Sequence, residues 1–96
     1  MAIGRFRTGF QDVVSAGTAE ALVSTDTYVV SVTMKARAGN SGNLFLGNST
    51  VSSSDSPVTA GSVITLEDSG HAFNLADIYV DAASSGDDLD FWYLLQ

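Results

Sequence analysis

The residues that could carry chemistry are few. His71 is the only histidine and there is no cysteine, so thiolate clusters, disulfides and histidine-rich metal sites are unavailable. A nucleophile–base–acid triad would have to use His71, which sits in Asp68-Ser69-Gly70-His71. That run reads as a turn between strands and holds no third group to orient an imidazole. The turn Ser84-Ser85-Gly86-Asp87-Asp88-Leu89-Asp90 brings three carboxylates together, and oxygen-rich turns of this kind can gather Ca²⁺. It lacks the alternate-position acids and the closing Glu of the twelve-residue calcium loop, so it reads as a solvated acidic turn. Asp77 and Asp81, four apart on a strand, would share a face but lie too far apart to share a proton. The reading is no enzyme, with no catalytic, cofactor or metal-ligating residue. Asn48-Ser49-Thr50 fits the glycosylation acceptor pattern, which stays idle without secretion.

The elements that would position these residues are strands. In Tyr28-Val29-Val30-Ser31-Val32-Thr33-Met34-Lys35-Ala36-Arg37, positions 28, 30, 32, 34 and 36 are apolar and Ser31, Thr33, Lys35 and Arg37 are polar. This period of two predicts a strand with its even face on a core. Gly39-Asn40-Ser41-Gly42-Asn43 reads as a tight connection into Leu44-Phe45-Leu46, the two strands forming an antiparallel hairpin. Runs 63–66, 78–82 and 89–95 are β-branched or aromatic and bounded by turn residues. Weaker strand candidates are 10–14 and 19–23, the latter open to a helical turn because Ala19, Glu20, Ala21 and Leu22 favour helix. The Ser-rich stretch 47–57, ending at the only proline, reads as a surface loop that packs little. The expected fold is all-β: one small antiparallel β-sandwich or jelly-roll-like domain of about seven or eight short strands.

Composition narrows the function classes. With 96 residues there is room for one domain. Hydrophobic residues make up 45% and charged ones 16%, which excludes a disordered acidic tail; 13 Ser and 8 Thr supply an uncharged polar skin. A net charge of −7 argues against nucleic acid. Apolar runs are too short for a membrane span, and no signal-peptide core is expected near Met1.

Two segments stand out as candidate docking surfaces. Phe91-Trp92-Tyr93 lies in a strand apolar on both faces, so one face can meet the core and the other a partner subunit, where Trp and Tyr concentrate; a central strand covered by its own chain is the alternative. Residues 1–10 form a basic leader with Arg5 and Arg7 and no acid, whereas all 11 acids follow it. Gly4 and Gly9 bracket this leader, and Ile3, Phe6 and Phe10 offer apolar anchors. As an extended arm of about 30 Å it could dock on an acidic, partly apolar groove of a neighbouring subunit, with Phe6 as anchor and Arg5 and Arg7 setting orientation. The alternatives are a disordered terminus or the first strand of its own sandwich. The boundaries expected are thus an arm at 1–10 and a domain at 11–96, with Arg5, Phe6, Arg7, Phe10, Phe91, Trp92 and Tyr93 as interface residues.

Residues 14–22, Gly42-Asn43-Leu44-Phe45-Leu46-Gly47-Asn48-Ser49-Thr50-Val51, Val58-Thr59-Ala60-Gly61-Ser62-Val63-Ile64-Thr65-Leu66 and Asn74-Leu75-Ala76-Asp77-Ile78-Tyr79-Val80-Asp81-Ala82 resemble the small virion structural proteins of tailed phages. The resemblance covers about residues 14–82. It implies a capsid decoration (cement) protein on the outer shell of a phage head, assembled in the host cytoplasm into the virion. It also implies the major capsid protein or other virion subunits as partners and self-association, a trimer favoured. A tail or head-fibre adhesion or carbohydrate-binding module is the alternative, for which Tyr79, Trp92, Asn40 and Asn43 would have to cluster on one exposed surface.

Overall fold

A computed structural model of the protein describes residues 5–96. Among the described residues nine strands run in the order β1 (Phe6–Asp12), β2 (Glu20–Ala21), β3 (Tyr28–Ala36), β4 (Leu44–Gly47), β5 (Pro57–Val58), β6 (Val63–Glu67), β7 (Phe73–Asn74), β8 (Tyr79–Ala82) and β9 (Asp88–Leu95), with a 3-10 turn at Leu75–Asp77. They form two antiparallel sheets. The larger has the order β1-β9-β3-β6, with β7 also pairing β3; the smaller has the order β2-β8-β4-β5. The all-β, two-sheet reading of the sequence therefore holds, in one domain.

Alternation places one face of each strand in the space between the sheets. Met34, Leu44, Leu89, Val13, Val32 and Val80 are fully buried there, with Leu75, Ala82 and Phe91 beside them. Burying each large aliphatic side chain contributes roughly 2 kcal/mol relative to leaving it in water.

Three expectations change at the level of connections. First, β3 does not keep one face throughout. A bulge between Val29 and Ser31 shifts its register against β9, so Val29 is buried while Tyr28 is half exposed. A bulge adds one residue to one strand and so inverts the pleat beyond it. Second, β3 and β4 form no hairpin; they lie in different sheets. The intervening loop is held instead by side chains of the β8–β9 turn. The Asp87 carboxylate accepts from the backbone N–H of Ser41 and of Gly42, both at 2.9 Å, and the Asn40 amide makes reciprocal bonds to the backbone of Asp88, donating at 3.0 Å and accepting at 2.8 Å. Third, the Ser-rich stretch does pack: Val51 is buried at its centre.

The boundary expected after residue 10 does not exist. Phe6 to Asp12 pair residue by residue with Leu94 to Asp88, so the described part of the leader is a strand of the domain itself. The physical reason lies in β9: without β1 its edge would be bare and the Phe91 ring uncovered. Gly4 and the anchor Ile3 lie outside the described residues.

Candidate functional site

The register of β1 and β9 sorts their residues by face. Gly9 is opposite the buried Phe91, so Phe6, Thr8, Phe10 and Asp12 point outward together with Leu94, Trp92, Asp90 and Asp88. Continuing across β3 and β6, the outward rows read Phe6–Leu94–Ser31–Glu67, Thr8–Trp92–Thr33–Thr65 and Phe10–Asp90–Lys35–Val63. On this face Phe6 is 55% exposed, Val63 55%, Phe10 48% and Leu94 40%, while Trp92 is partly buried at the centre. The Thr33 and Thr65 hydroxyls hydrogen-bond each other at 3.0 Å. The face thus combines exposed apolar side chains with a threonine row on four paired strands, with Lys35, Asp90 and Glu67 among them.

One margin of the face is ionic. Arg37, just beyond β3, forks onto Asp90 with bonds of 2.8 and 2.9 Å, and its guanidinium carbon sits 4.4 Å from the centre of the Phe10 ring. The fork raises the Arg37 pKa and holds Asp90 below the usual carboxylate range. Asp88 moves the other way. Partial burial and then the charge of Asp12, its partner across the strands, push it above that range, against the pull of Arg37 at 3.7 Å. Asp12 Oδ1 is buried and accepts no hydrogen bond among the described residues; a proton on Asp88 would give it a donor.

The predicted interface residues divide. Phe6, Phe10 and Trp92 belong to the outer face. Arg5 is exposed beside it, its Nε donating to the Leu95 carbonyl at 3.1 Å. Arg7 is also exposed, donating to the Phe6 carbonyl at 3.2 Å. Phe91 is no interface residue: it is 2% exposed and part of the core. Tyr93 shares its inward side, packs against the core and stacks on Phe91 with ring centres 5.9 Å apart. The cause is the pleat, which sends alternate members of an aromatic triplet to opposite sides. Leu94 shares the side of Trp92 by the parity of its own strand, whereas Val63 and the threonine row were not expected among the interface residues. The signal for them was the outward parity of Trp92 extended across neighbouring strands, which needs the strand order.

The other candidates are dispersed. His71 is exposed in the β6–β7 turn, where Ser69 and Gly70 take positive φ values of 47° and 83°. Asp81 is buried, and its Oδ1 accepts from Gly17 N–H at 2.9 Å and Ala82 N–H at 2.7 Å. Asp77 lies apart from it, exposed at the end of the 3-10 turn. The acidic turn is not a solvated one at its first acid, since Asp87 is buried and fastens the 40s loop. Among the described residues no group of three His, Asp or Glu side chains is placed to hold a metal ion. Tyr79 is in the smaller sheet, Trp92 on the larger, and Asn40 is occupied with backbone, so the set required of a carbohydrate site does not assemble. No helix among the described residues is long and apolar enough to cross a membrane.

No family model and no curated protein matches the chain. Among solved structures it is similar to a de novo designed double-stranded β-helix determined by solution NMR, at 13% identity and a TM-score of 0.47, over 96% of this chain and 99% of that one. It is also similar to a structure described as Bacillus endospore appendages forming a family of disulfide-linked pili, at 14% identity and a TM-score of 0.39, over 95% of this chain and 88% of that one.

Proposed function

We propose that this protein is a non-enzymatic structural subunit that docks onto other protein subunits through the outer face of its larger sheet. The observation that carries the reading is the exposure of Phe6, Phe10, Val63 and Leu94 around Trp92 on one face of the larger sheet. Large apolar side chains gathered on one side of a small domain are costly to leave in water, and they mark contact surfaces. Because the face is built on paired strands, little ordering opposes binding.

The setting proposed is the outer shell of a tailed-phage head, with the protein as a self-associating capsid decoration subunit, a trimer by preference, on the major capsid protein. What supports this is the resemblance over residues 14–82 and the Ser- and Thr-rich skin; the net charge of −7 argues against nucleic acid as the partner. The test is binding of added protein to phage heads that lack it, comparing wild type with the Trp92→Ser/Leu94→Ser double variant. The variant should fold and yet lose at least about tenfold in affinity, the scale of one hot-spot residue. Equal saturation of the heads by both proteins would overturn the docking face. Binding to tails and not heads would move the subunit to the adhesion apparatus.

A further inference from the structure

The larger sheet has two free edges, and they are complementary. Its order is β1-β9-β3-β6 with every neighbouring pair antiparallel, so β1 and β6 run in opposite directions at opposite ends. Among the described residues no strand pairs with the far side of either. Free edges as long as the seven residues of β1 and the five of β6 are usually blunted by proline, bulges, covering loops or charged side chains, and here only charges are present, opposite in sign at the two edges. Neither strand contains a proline, and the one register shift in the sheet lies in β3 against β9. Arg5 precedes β1, which begins with Phe6 and Arg7, and β6 ends at Glu67 with Asp68 just beyond; all five are exposed.

We infer that copies of this chain join edge to edge, the β6 edge of one receiving the β1 edge of the next, so that the larger sheet continues from subunit to subunit. Direction is satisfied automatically. A copy related by the sheet's own progression presents β1 antiparallel to β6, continuing the alternation already present. Register follows from face and charge. Outward residues of β6 (Val63, Thr65, Glu67) must meet outward residues of β1 (Phe6, Thr8, Phe10). Two face-preserving alignments pair the whole of β6 with β1, and the one that matches apolar side chains sets Val63 with Phe10, Thr65 with Thr8 and Glu67 with Phe6. It also brings Asp68 opposite Arg5. Shifting by two residues either way sets Val63 against Thr8 or Asp12 and breaks the apolar match. In the matched register the row Thr8–Trp92–Thr33–Thr65 meets Thr8 of the next copy. The added strand also covers Ile64 and Leu66, whose inward sides line an open apolar cleft of about 370 Å³ with Met34, Leu46 and Ile78.

Such a contact uses two different patches and is heterologous, so it yields a ring if the rotation closes and an open row if it does not. The inference rests on the proposed self-association and not on where the outer face docks. Cysteine pairing tests it, because the chain has no cysteine of its own. Within one copy Thr8 and Thr65 are separated by two intervening strands, about 14 Å, beyond the reach of a disulfide. Thr8→Cys and Thr65→Cys proteins, mixed and oxidised, should give mainly the mixed disulfide, and the doubly substituted protein a ladder or a closed ring. Homodisulfides alone, with the wild type associating in sedimentation, would overturn the edge pairing while leaving self-association standing. A wild type that is monomeric at millimolar concentration would overturn both. As a second measurement, Glu67→Lys/Asp68→Lys and Arg5→Glu/Arg7→Glu proteins should each fail to associate alone and recover on mixing; recovery absent on mixing counts against the charge match and the inference with it.

Discussion

Gly9 in β1 lies directly opposite Phe91 in β9, and the Phe91 ring folds over it, so that a Cβ at position 9 would overlap the ring atoms. The glycine is where the edge strand makes room for a core aromatic. A strand glycine ordinarily weakens its strand, and here it is the close approach that requires one. The Gly9→Ala protein should therefore lose about 1 kcal/mol net, an overpacking cost of about 2 kcal/mol against a backbone gain of roughly 0.5–1 kcal/mol. Urea denaturation is the measurement, and an unchanged midpoint would show that Phe91 can swing aside freely.

Deleting residues 2–9 should unfold the domain or cost it most of its stability. The cut removes β1 through Gly9, leaving β9 as a bare edge and Phe91 uncovered. Circular dichroism and thermal melting decide it. A truncated protein that melts as the wild type does would return the leader to the status of a separable arm.

Asp87→Ala should destabilise the protein by about 2 kcal/mol, since the backbone N–H groups of Ser41 and Gly42 lose a charged acceptor. Chelators should leave the melting temperature of the wild type unchanged, because both Asp87 oxygens are already engaged by backbone. A fall of several degrees in EDTA that Ca²⁺ restores would contradict that assignment.

The paired carboxylates Asp12 and Asp88 predict a pH signature. Asp88 is held above its ordinary range when folded, so folding opposes its ionisation; its penalty is absent below the unfolded pKa, grows as pH rises from there to the folded value and is complete above it. Asp90 works the other way: with its folded pKa lowered by Arg37, its contribution is present above the unfolded pKa and is lost as pH falls through the folded one. Asp88→Asn should raise stability at pH 7 by about 0.5 kcal/mol, the scale of like charges facing across strands, and give no gain at pH 3. Denaturant titrations at the two pH values measure this, and an Asp88→Asn protein less stable at pH 7 would refute it.

Strand positions were legible where the pleat alternates: β3, β4, β6, β8 and β9 fall within a residue or two of their apolar runs. What the pattern of Val30 and Tyr28 could not show is the bulge beside them, because a register shift is fixed by the partner strand, β9. Likewise the Asn40 and Asp87 side chains, which read as a flexible loop and an acidic turn, bond across 45 to 48 residues of sequence, a pairing that no local signal encodes. The two-residue strands β5 and β7 are bridges of the same kind. For the candidate face, Trp92 was recognisable by type and Leu94 by parity, but Val63 and Thr65 join them only through strand order.

The pairing of β1 with β9 also brings the two ends of the described chain together, with Arg5 bonded to the Leu95 carbonyl and Gln96 N–H to that of Tyr28. A group attached at Arg5 or at Gln96 would therefore sit near Phe6 and Leu94 and shade the outer face of the larger sheet. Inserting a group in the exposed segment 52–54 instead would place it in the β4–β5 connection of the smaller sheet, away from that face.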